Sequence, residues 1–196
     1  AITAQTEKLE SLMEALVKTS RLEAGVLVLH PQCGPIGPVV ERALAQYTAE
    51  AAGKPLTLCA MGAEGTACFD AKWTEEALCI LLDNAVKYTE KGGQVLVDQT
   101  AEEGCARITV KDTGVGIPAQ DIDRVKEKFY KANKTVRGSG IGLAVADEII
   151  KQHKGLLFLE STEGVGTTVT IVLPLYEQET EAEETDADNE KGETNG

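Results

Sequence analysis

Three glycines lead directly into an apolar helical stretch, and this feature constrains the chain most. In "RGSGIGLA", residues 137–144, the glycines are Gly138, Gly140 and Gly142, and "LAVADEII" follows at once. Glycines ahead of a helix allow backbone N–H groups to come close to another group, and a helix N-terminus favours an anion. The segment therefore predicts a loop and helix that hold a phosphate-bearing ligand.

The net charge of the chain limits its partners. The length of 196 residues is sufficient for one domain with a small extension. Of the formal charge of −13, residues 177–196 contribute −8, with nine acids and one lysine, which leaves −5 for the rest. Non-specific nucleic-acid binding needs clustered cations, so this class of partner is excluded. Residues 177–196 have no apolar period, and we expect them to be disordered.

The five cysteines show no metal-binding pattern. They contain no CxxC pair, and the chain has only two histidines, His30 and His153. We expect buried, reduced thiols of a cytosolic protein and no zinc site. No apolar stretch of 18 residues and no signal peptide is present, so the chain is expected to be soluble and cytoplasmic.

Hydrophobic periodicity divides the chain into four parts. Residues 1–25 predict an amphipathic helix, 26–37 a connector rich in proline and glycine, 38–176 the main domain, and 177–196 the acidic tail. Within the main domain we predict helices over 39–52, 74–87, 119–128 and 141–153, and strands over 56–61, 94–100, 106–112, 155–161 and 167–174. Helices beside one mixed, largely antiparallel sheet make an α+β two-layer sandwich.

Four short segments carry the candidate chemistry. They are "LLDNAVKYT" (81–89) at the end of a helix, "DTGVGIP" (112–118) after a strand, "RGSGIGLA" (137–144) before a helix, and "EGVGTT" (163–168) between two strands. A carboxylate at Asp112 can accept a hydrogen bond from an exocyclic amine, which would select adenine over guanine. Asn84 offers a neutral oxygen suited to Mg²⁺.

In this order, the four segments resemble the N, G1, G2 and G3 boxes of the ATP-binding domain of bacterial sensor histidine kinases. This Bergerat fold is shared with the gyrase and MutL ATPases. "EKFYKANK" (127–134) resembles the F box of the family, and "EKLESLMEALVKTSRLEAGVL" (7–27) resembles the second helix of its dimerization domain. The similarity covers residues 7–175.

The resemblance implies ATP and Mg²⁺ as ligands and assigns roles to individual residues. Asp112 would bind the adenine amino group, and Asn84 would bind Mg²⁺. Lys87, Lys131 and Arg137 would meet phosphates. We expect the nucleotide also to contact neighbouring residues of the same segments, namely Tyr88, Gly114, Gly116, Ile117, Phe129, Gly138, Ser139, Gly140, Ile141, Gly142, Leu143 and Thr167.

The resemblance also implies partners. A histidine would receive the γ-phosphate and pass it to the receiver domain of a response regulator. Neither His30 nor His153 has the sequence context of that acceptor, so we expect the acceptor to lie outside this chain, which could not then phosphorylate itself. The full protein would be a homodimer through its dimerization helices and anchored in the cell membrane.

One departure from the pattern leaves alternatives open. One turn before Asn84, relatives often carry Glu or Asn, whereas this chain has Ile80, which cannot activate water. Rapid ATP hydrolysis is therefore disfavoured, and transfer to a histidine stays open. The alternatives are a nucleotide-binding regulatory module without kinase activity, a gyrase- or MutL-type ATPase, and a serine kinase of the anti-sigma type, which the amino-terminal helix fits poorly.

Overall fold

In the computed structural model, the described residues are 13, 17, 20, 28–62, 65–102, 104–133 and 138–175. Met13, Val17 and Ser20 are helical, and the remainder of the predicted helix over 1–25 lies outside this range. The predicted acidic tail, 177–196, also lies outside the described residues. Within the described part of the chain, no helix is both long and apolar enough to cross a membrane.

The described elements form helices beside a mixed sheet. In chain order they are β1 (Gln32–Pro35), α1 (Gly37–Gly53), β2 (Thr57–Gly62), β3 (Thr66–Phe69), α2 (Ala71–Tyr88), β4 (Gln94–Glu102), β5 (Cys105–Asp112), a 3₁₀ turn (Ala119–Asp121), α3 (Gly142–Gln152), β6 (Leu156–Thr162) and β7 (Gly166–Pro174).

The main sheet has five strands in the order β2-β4-β5-β7-β6. Only β2 and β4 are parallel, and the other pairs are antiparallel. Alternate side chains of β5 are buried, as expected for a strand with one covered face. The predicted α+β sandwich is confirmed, with a core of helix residues such as Leu78, Leu82 and Ile149 packed with the strand residues Val97, Ile108 and Ile171.

Two sequence predictions were wrong. The connector predicted over 26–37 contains β1, which pairs with β3, and β3 itself has no counterpart in the sequence prediction. The helix predicted over 119–128 is only a 3₁₀ turn over Ala119–Asp121, followed by further turns. This segment has few buried side chains, and helical propensity without tertiary packing rarely sustains a helix of that length.

The start of α2 is fixed by a cap and by the end of α3. Oδ1 of Asp70, the N-cap residue, accepts from the N–H groups of Lys72 (3.0 Å) and Trp73 (3.2 Å). The Asp70 N–H donates to His153 Nε2 at 3.0 Å, and His153 Nδ1 lies 2.7 Å from Ile149 O. His153 is therefore a buried structural residue with both ring nitrogens engaged.

Candidate functional site

A cavity of about 450 Å³ opens between α2, the first turn of α3 and the ends of β5 and β7. Its size lies within the ordinary range of small-molecule sites, about 300–1,000 Å³. All four segments that the sequence singled out reach it through at least one residue. Apolar side chains form part of the wall, namely Val110, Ile117, Leu143, Leu159 and Val169.

Asp112 presents a fixed carboxylate at the end of β5. Its Oδ1 accepts hydrogen bonds from the N–H groups of Gly114 (2.8 Å) and Thr167 (3.2 Å), which belong to two different segments. None of the residues that the structure describes donates a hydrogen bond to its second oxygen, Oδ2. Burial raises the pKa of this carboxyl, and the two N–H groups partly offset the effect. The residue thus offers one unused acceptor to a ligand in the cavity.

The loop after Asp112 lies against the end of β6. Gly116 has φ +66°, and a Cβ atom there would lie only 2.0 Å from Thr162 O. The Ile117 N–H donates to Ser161 Oγ at 2.9 Å, and Ser161 Oγ lies 2.9 Å from Thr167 Oγ1. A glycine is required at position 116 because any side chain would push the loop away from β6.

The last two turns of α2 bring polar groups to the cavity. Asn84, Lys87 and Tyr88 all line it. The Lys87 ammonium pairs with Asp83, which also lines the cavity. Burial, followed by the charge of Asp83, raises the pKa of Tyr88, so its phenol stays neutral at physiological pH. These groups provide an amide oxygen acceptor together with ammonium and phenol donors along one wall.

The glycine-rich segment packs beneath residues 129–131. Gly140 has φ +73°, and a Cβ atom there would lie 2.7 Å from Tyr130 O. Helix α3 begins at Gly142, and Ile141 at its N-cap provides no side-chain acceptor. Ile141 therefore leaves the first-turn N–H groups of α3 without a side-chain cap of its own, and the positive end of the helix dipole faces an anion that enters here.

An ion-pair network joins the segment before the glycines to α3. Lys126 Nζ donates to Asp147 Oδ1 (2.9 Å) and to Leu157 O (2.5 Å). Lys151 Nζ lies 2.6 Å from Asp147 Oδ2, and the two lysines hold the pKa of the Asp147 carboxyl below its usual range despite its burial. Lys126 thereby anchors the chain just before residues 130–133. These four residues all line the cavity.

Replacing Lys126 with methionine tests this anchor. We expect the free energy of unfolding to fall by about 1–2 kcal/mol, since Lys126 is partly exposed and Lys151 stays with Asp147. ATP binding should weaken as well, because residues 130–133 lose their attachment. Urea denaturation and calorimetry measure the two effects. Lys91→Met, in the turn before β4, is the matched control and should change neither, and equal effects of the two variants would contradict the assigned role of Lys126.

Most of the predicted contact residues line the cavity. They are Asn84, Lys87, Tyr88, Asp112, Gly116, Ile117, Lys131, Gly138, Ser139, Gly140, Gly142, Leu143 and Thr167. Arg137 lies outside the described residues.

Three predicted contacts do not line the cavity. Gly114 is buried, and a Cβ atom there would lie 2.5 Å from Tyr88 O, so this glycine supports Asp112 rather than a ligand. Ile141 is fully buried in the core. Phe129 has φ +65° and is 57% exposed, because the turn that carries it directs the ring to solvent.

Several cavity residues were missed in the sequence. They are Gln46, Tyr47, Glu76, Cys79, Asp83, Val125, Tyr130, Ala132 and Asn133, and Ile80 also lines the cavity. Helical spacing would have identified Glu76, since Glu76, Ile80 and Asn84 are four residues apart and share a face of α2. Burial, together with Glu75 and Glu76, raises the pKa of the Cys79 thiol to about 11.

Residues 69–177 match the profile of the family described as Histidine kinase-, DNA gyrase B-, and HSP90-like ATPase. The match covers more than half of the chain and includes every segment of the cavity except the α1 residues Gln46 and Tyr47. The chain belongs to this family. It therefore carries the ATP-binding domain of these ATPases.

Relatives of this ATPase domain include sensor kinases. WalK of Bacillus subtilis is 40% identical over 50% of the chain, and MprB of Mycobacterium leprae, a histidine-protein kinase/phosphatase, is 32% identical over 99%. The chain spans 17% and 38% of these two relatives, respectively.

Solved structures show the same fold. A mycobacterial sensor histidine kinase MprB structure is 27% identical, with a TM-score of 0.66 over 74% of this chain and 97% of the other. ShkA, solved in complex with AMPPNP, has a TM-score of 0.77 at 24% identity over 85% of this chain and 35% of the other.

Proposed function

We propose that the chain is the catalytic region of a sensor histidine kinase, which binds Mg²⁺ and ATP and transfers the γ-phosphate to a histidine on a helix outside this chain. The observation that carries the proposal is Asp112. Its Oδ1 is held by two N–H donors while its Oδ2 stays unused among the described residues. Such an acceptor suits the amino group of adenine and rejects the carbonyl oxygen of guanine.

The opposite part of the cavity suits the triphosphate. The uncapped N-terminus of α3, the glycines before it and Lys131 converge there. A cradle of backbone N–H groups at a helix start is a common phosphate site. Asn84 supplies the oxygen that would hold Mg²⁺, and Lys87 can meet a phosphate if its ammonium leaves Asp83. When bound, the metal ion would neutralise phosphate charge.

The residue one turn before Asn84 favours transfer of the phosphoryl group to a histidine over hydrolysis of ATP. Ile80 occupies the position one turn before Asn84, and its Cγ2 would lie 3.1 Å from a Cβ atom at Gly142. It packs α2 against the glycine segment and cannot remove a proton from water. An acceptor histidine brings its own lone pair, so the site needs only to position the phosphates and neutralise their charge.

Neither histidine of the chain is the proposed acceptor. Both ring nitrogens of His153 are engaged by Asp70 N–H and Ile149 O. His30 precedes Pro31 and lies at the entry to β1, where its N–H donates to Asp70 Oδ2. We also propose that this region belongs to a homodimeric, membrane-anchored protein, as its resemblance to sensor histidine kinases implies.

We further propose a response regulator as the partner that receives the phosphoryl group. The related kinase ThkA was solved in complex with the response regulator TrrA, and that structure matches this chain with a TM-score of 0.74 over 89% of the chain and 49% of the other, at 17% identity. Transfer of the phosphoryl group from the protein extended through its acceptor helix to a receiver domain tests this partner.

Calorimetry followed by phosphotransfer tests the proposal. A non-hydrolysable ATP analogue with Mg²⁺ should bind, and the matching GTP analogue should bind at least about tenfold more weakly. The chain extended through its acceptor helix should then form an acid-labile phosphoprotein, with slow steady release of phosphate. Equal binding of both analogues would contradict the role of Asp112.

A second candidate is a regulatory module that binds ATP without transferring phosphate. Ile80 is the observation that favours it, because this position offers no polar group near the γ-phosphate. ATP binding by the extended protein without any phosphohistidine would establish this candidate and reject the kinase.

The binding of ATP should depend on pH through Asp112. The ionised carboxylate is the form that accepts from adenine, and its pKa is raised by burial. Affinity should therefore begin to fall at a higher pH than it would with an exposed aspartate. Calorimetry between pH 7 and pH 5 measures the loss, and adenosine avoids the titration of the phosphates. A flat profile for adenosine would contradict this role.

A further inference from the structure

A covalent bond joins the start of the domain to its interior. Cys33 in β1 and Cys68 in β3 are direct register partners in the antiparallel pair and form a disulfide, with Cα atoms 3.9 Å apart. The expectation of reduced cysteines throughout was wrong for these two, because pairing of β1 with β3 brings them together across 35 positions of sequence. Cys59, Cys79 and Cys105 are free thiols.

Strand β1 has little other attachment. None of its four residues is buried, and within the described part of the chain it pairs with β3 alone. The first buried residue after it is Ile36, which is fully buried and donates its N–H to Gly65 O at 2.9 Å. An isolated strand pair is marginally stable in water. Without the disulfide, the firm attachment of the chain would therefore begin at Ile36.

The two sulfur atoms differ in access. Cys33 is exposed, whereas Cys68 is only 2% exposed. Cys68 Sγ lies 3.1 Å from Leu175 O. As a thiol, Cys68 would donate a hydrogen bond to that carbonyl, so reduction leaves no unpaired buried group. The site is thus compatible with both redox states, with Cys33 as the sulfur that a reagent can reach.

We propose that the Cys33–Cys68 pair is a thiol–disulfide exchange site that sets the length of the tether between the upstream segment and the nucleotide domain. A thiolate of a small thiol or of a dithiol protein attacks Cys33 Sγ and forms a mixed disulfide, and Cys68 leaves as a thiolate that takes up a proton. A second thiolate of the reagent releases Cys33, so the reagent is oxidised to its disulfide and the pair is reduced by two electrons. The reverse exchange reforms the bond.

Opening the pair should leave the nucleotide site intact. Loss of β1 would remove the hydrogen bond from His30 N–H to Asp70 Oδ2. Asp70 Oδ1 would still cap α2 through Lys72 and Trp73, and Ile36 would still hold α1. The change is therefore confined to the tether, which gains at most the six residues 30–35, or roughly 20 Å of reach when extended.

The consequence for activity depends on the proposed kinase function. If the acceptor histidine lies upstream, a longer tether lets the domain approach it in more orientations. We therefore expect reduction to speed phosphotransfer by about threefold or more, while ATP affinity stays unchanged.

The first test uses this chain alone and does not depend on ATP. Alkylation of the oxidised protein, denatured without reductant, should modify three cysteines, and after reduction it should modify five. Hydrogen exchange of the β1 amides should be about tenfold faster after reduction, with α2 unchanged. Five free thiols after oxidation, or equal exchange in both states, would overturn the proposal.

The second test uses variants of the protein extended through its acceptor helix. Cys33→Ser should behave as the reduced protein and ignore reductant. The matched control, Cys59→Ser, changes an exposed free cysteine on β2 and should respond to reductant as the wild type does. If reduction speeds hydrogen exchange of the β1 amides but leaves the phosphotransfer rate unchanged, the proposed regulation is overturned. Loss of ATP binding in all variants would instead reject the proposed function.

Discussion

Replacing Asp112 with asparagine should weaken ATP binding by about 10- to 100-fold, the worth of one hydrogen bond to a charged group. The amide oxygen must face the N–H groups of Gly114 and Thr167, which turns the NH₂ group toward the cavity. A donor then meets the amino group of adenine, which is also a donor. Calorimetry with an ATP analogue measures the loss.

The same variant should be as stable as the wild type at pH 7, or more stable. Burial raises the folded-state pKa of Asp112 above its ordinary value, so protonation of this group stabilises the fold. That stabilisation is complete below the ordinary pKa and is lost as the pH rises through the raised one. Asparagine removes the buried charge at neutral pH, and urea denaturation measures the difference.

Asp123→Asn is the matched control for both measurements, because it makes the same chemical change at an exposed position outside the cavity. It should alter neither ATP binding nor stability. If Asp112→Asn bound ATP as well as Asp123→Asn, the assignment of Asp112 to adenine would be wrong. A large loss of stability in Asp112→Asn alone would show that its carboxylate is structural.

Replacing Gly116 with alanine should lower the free energy of unfolding by more than about 2 kcal/mol and abolish measurable ATP binding. The new Cβ atom would lie 2.0 Å from Thr162 O, a backbone atom that cannot move alone, and φ is +66°. The loop must therefore leave the end of β6, and Ile117 N–H would be drawn away from Ser161 Oγ. Thermal unfolding and calorimetry measure the two effects.

Gly164→Ala separates the collision from the backbone strain. Gly164 has a similar φ, +76°, but a Cβ atom there would meet nothing within 4 Å. We expect this control to cost only about 1 kcal/mol, the strain of a left-handed alanine, with ATP binding retained. Equal losses in the two variants would mean that strain, and not contact with Thr162, makes Gly116 necessary.

The sequence predicted the main elements because their signals are local. The alternation in β4 and β5, the helical period of α1 and α2, and the glycines before α3 each reflect which side chains face the core. The predicted bounds fall within three residues of the observed ones at α1, at 39–52 against Gly37–Gly53, and at α2, at 74–87 against Ala71–Tyr88. Where burial was absent, as over 119–128, the helical signal failed.

The candidate site likewise contains residues that the sequence identified and residues that it misplaced or missed. Asp112, Asn84 and the glycines were identified because their residue types and order carry the chemistry. Phe129, Ile141 and Gly114 were placed at the ligand because they belong to the same segments, but neighbours in sequence face different directions. Gln46 and Tyr47 reach the cavity from α1, and nothing in their local sequence indicates it, whereas Tyr130 lies in the segment 127–134 but was not singled out there.

The sequence by itself determined the family, the sandwich of helices on a sheet, and the four segments that reach the cavity, because periodicity and motif order are properties of the chain. Only the tertiary structure decided that Asp112 is held by Thr167 from 55 residues away, that Lys126 anchors the segment over the cavity through Asp147, and that Cys33 meets Cys68. These contacts depend on strand register and on the packing of α3, which arise from the whole core and are set by no local pattern.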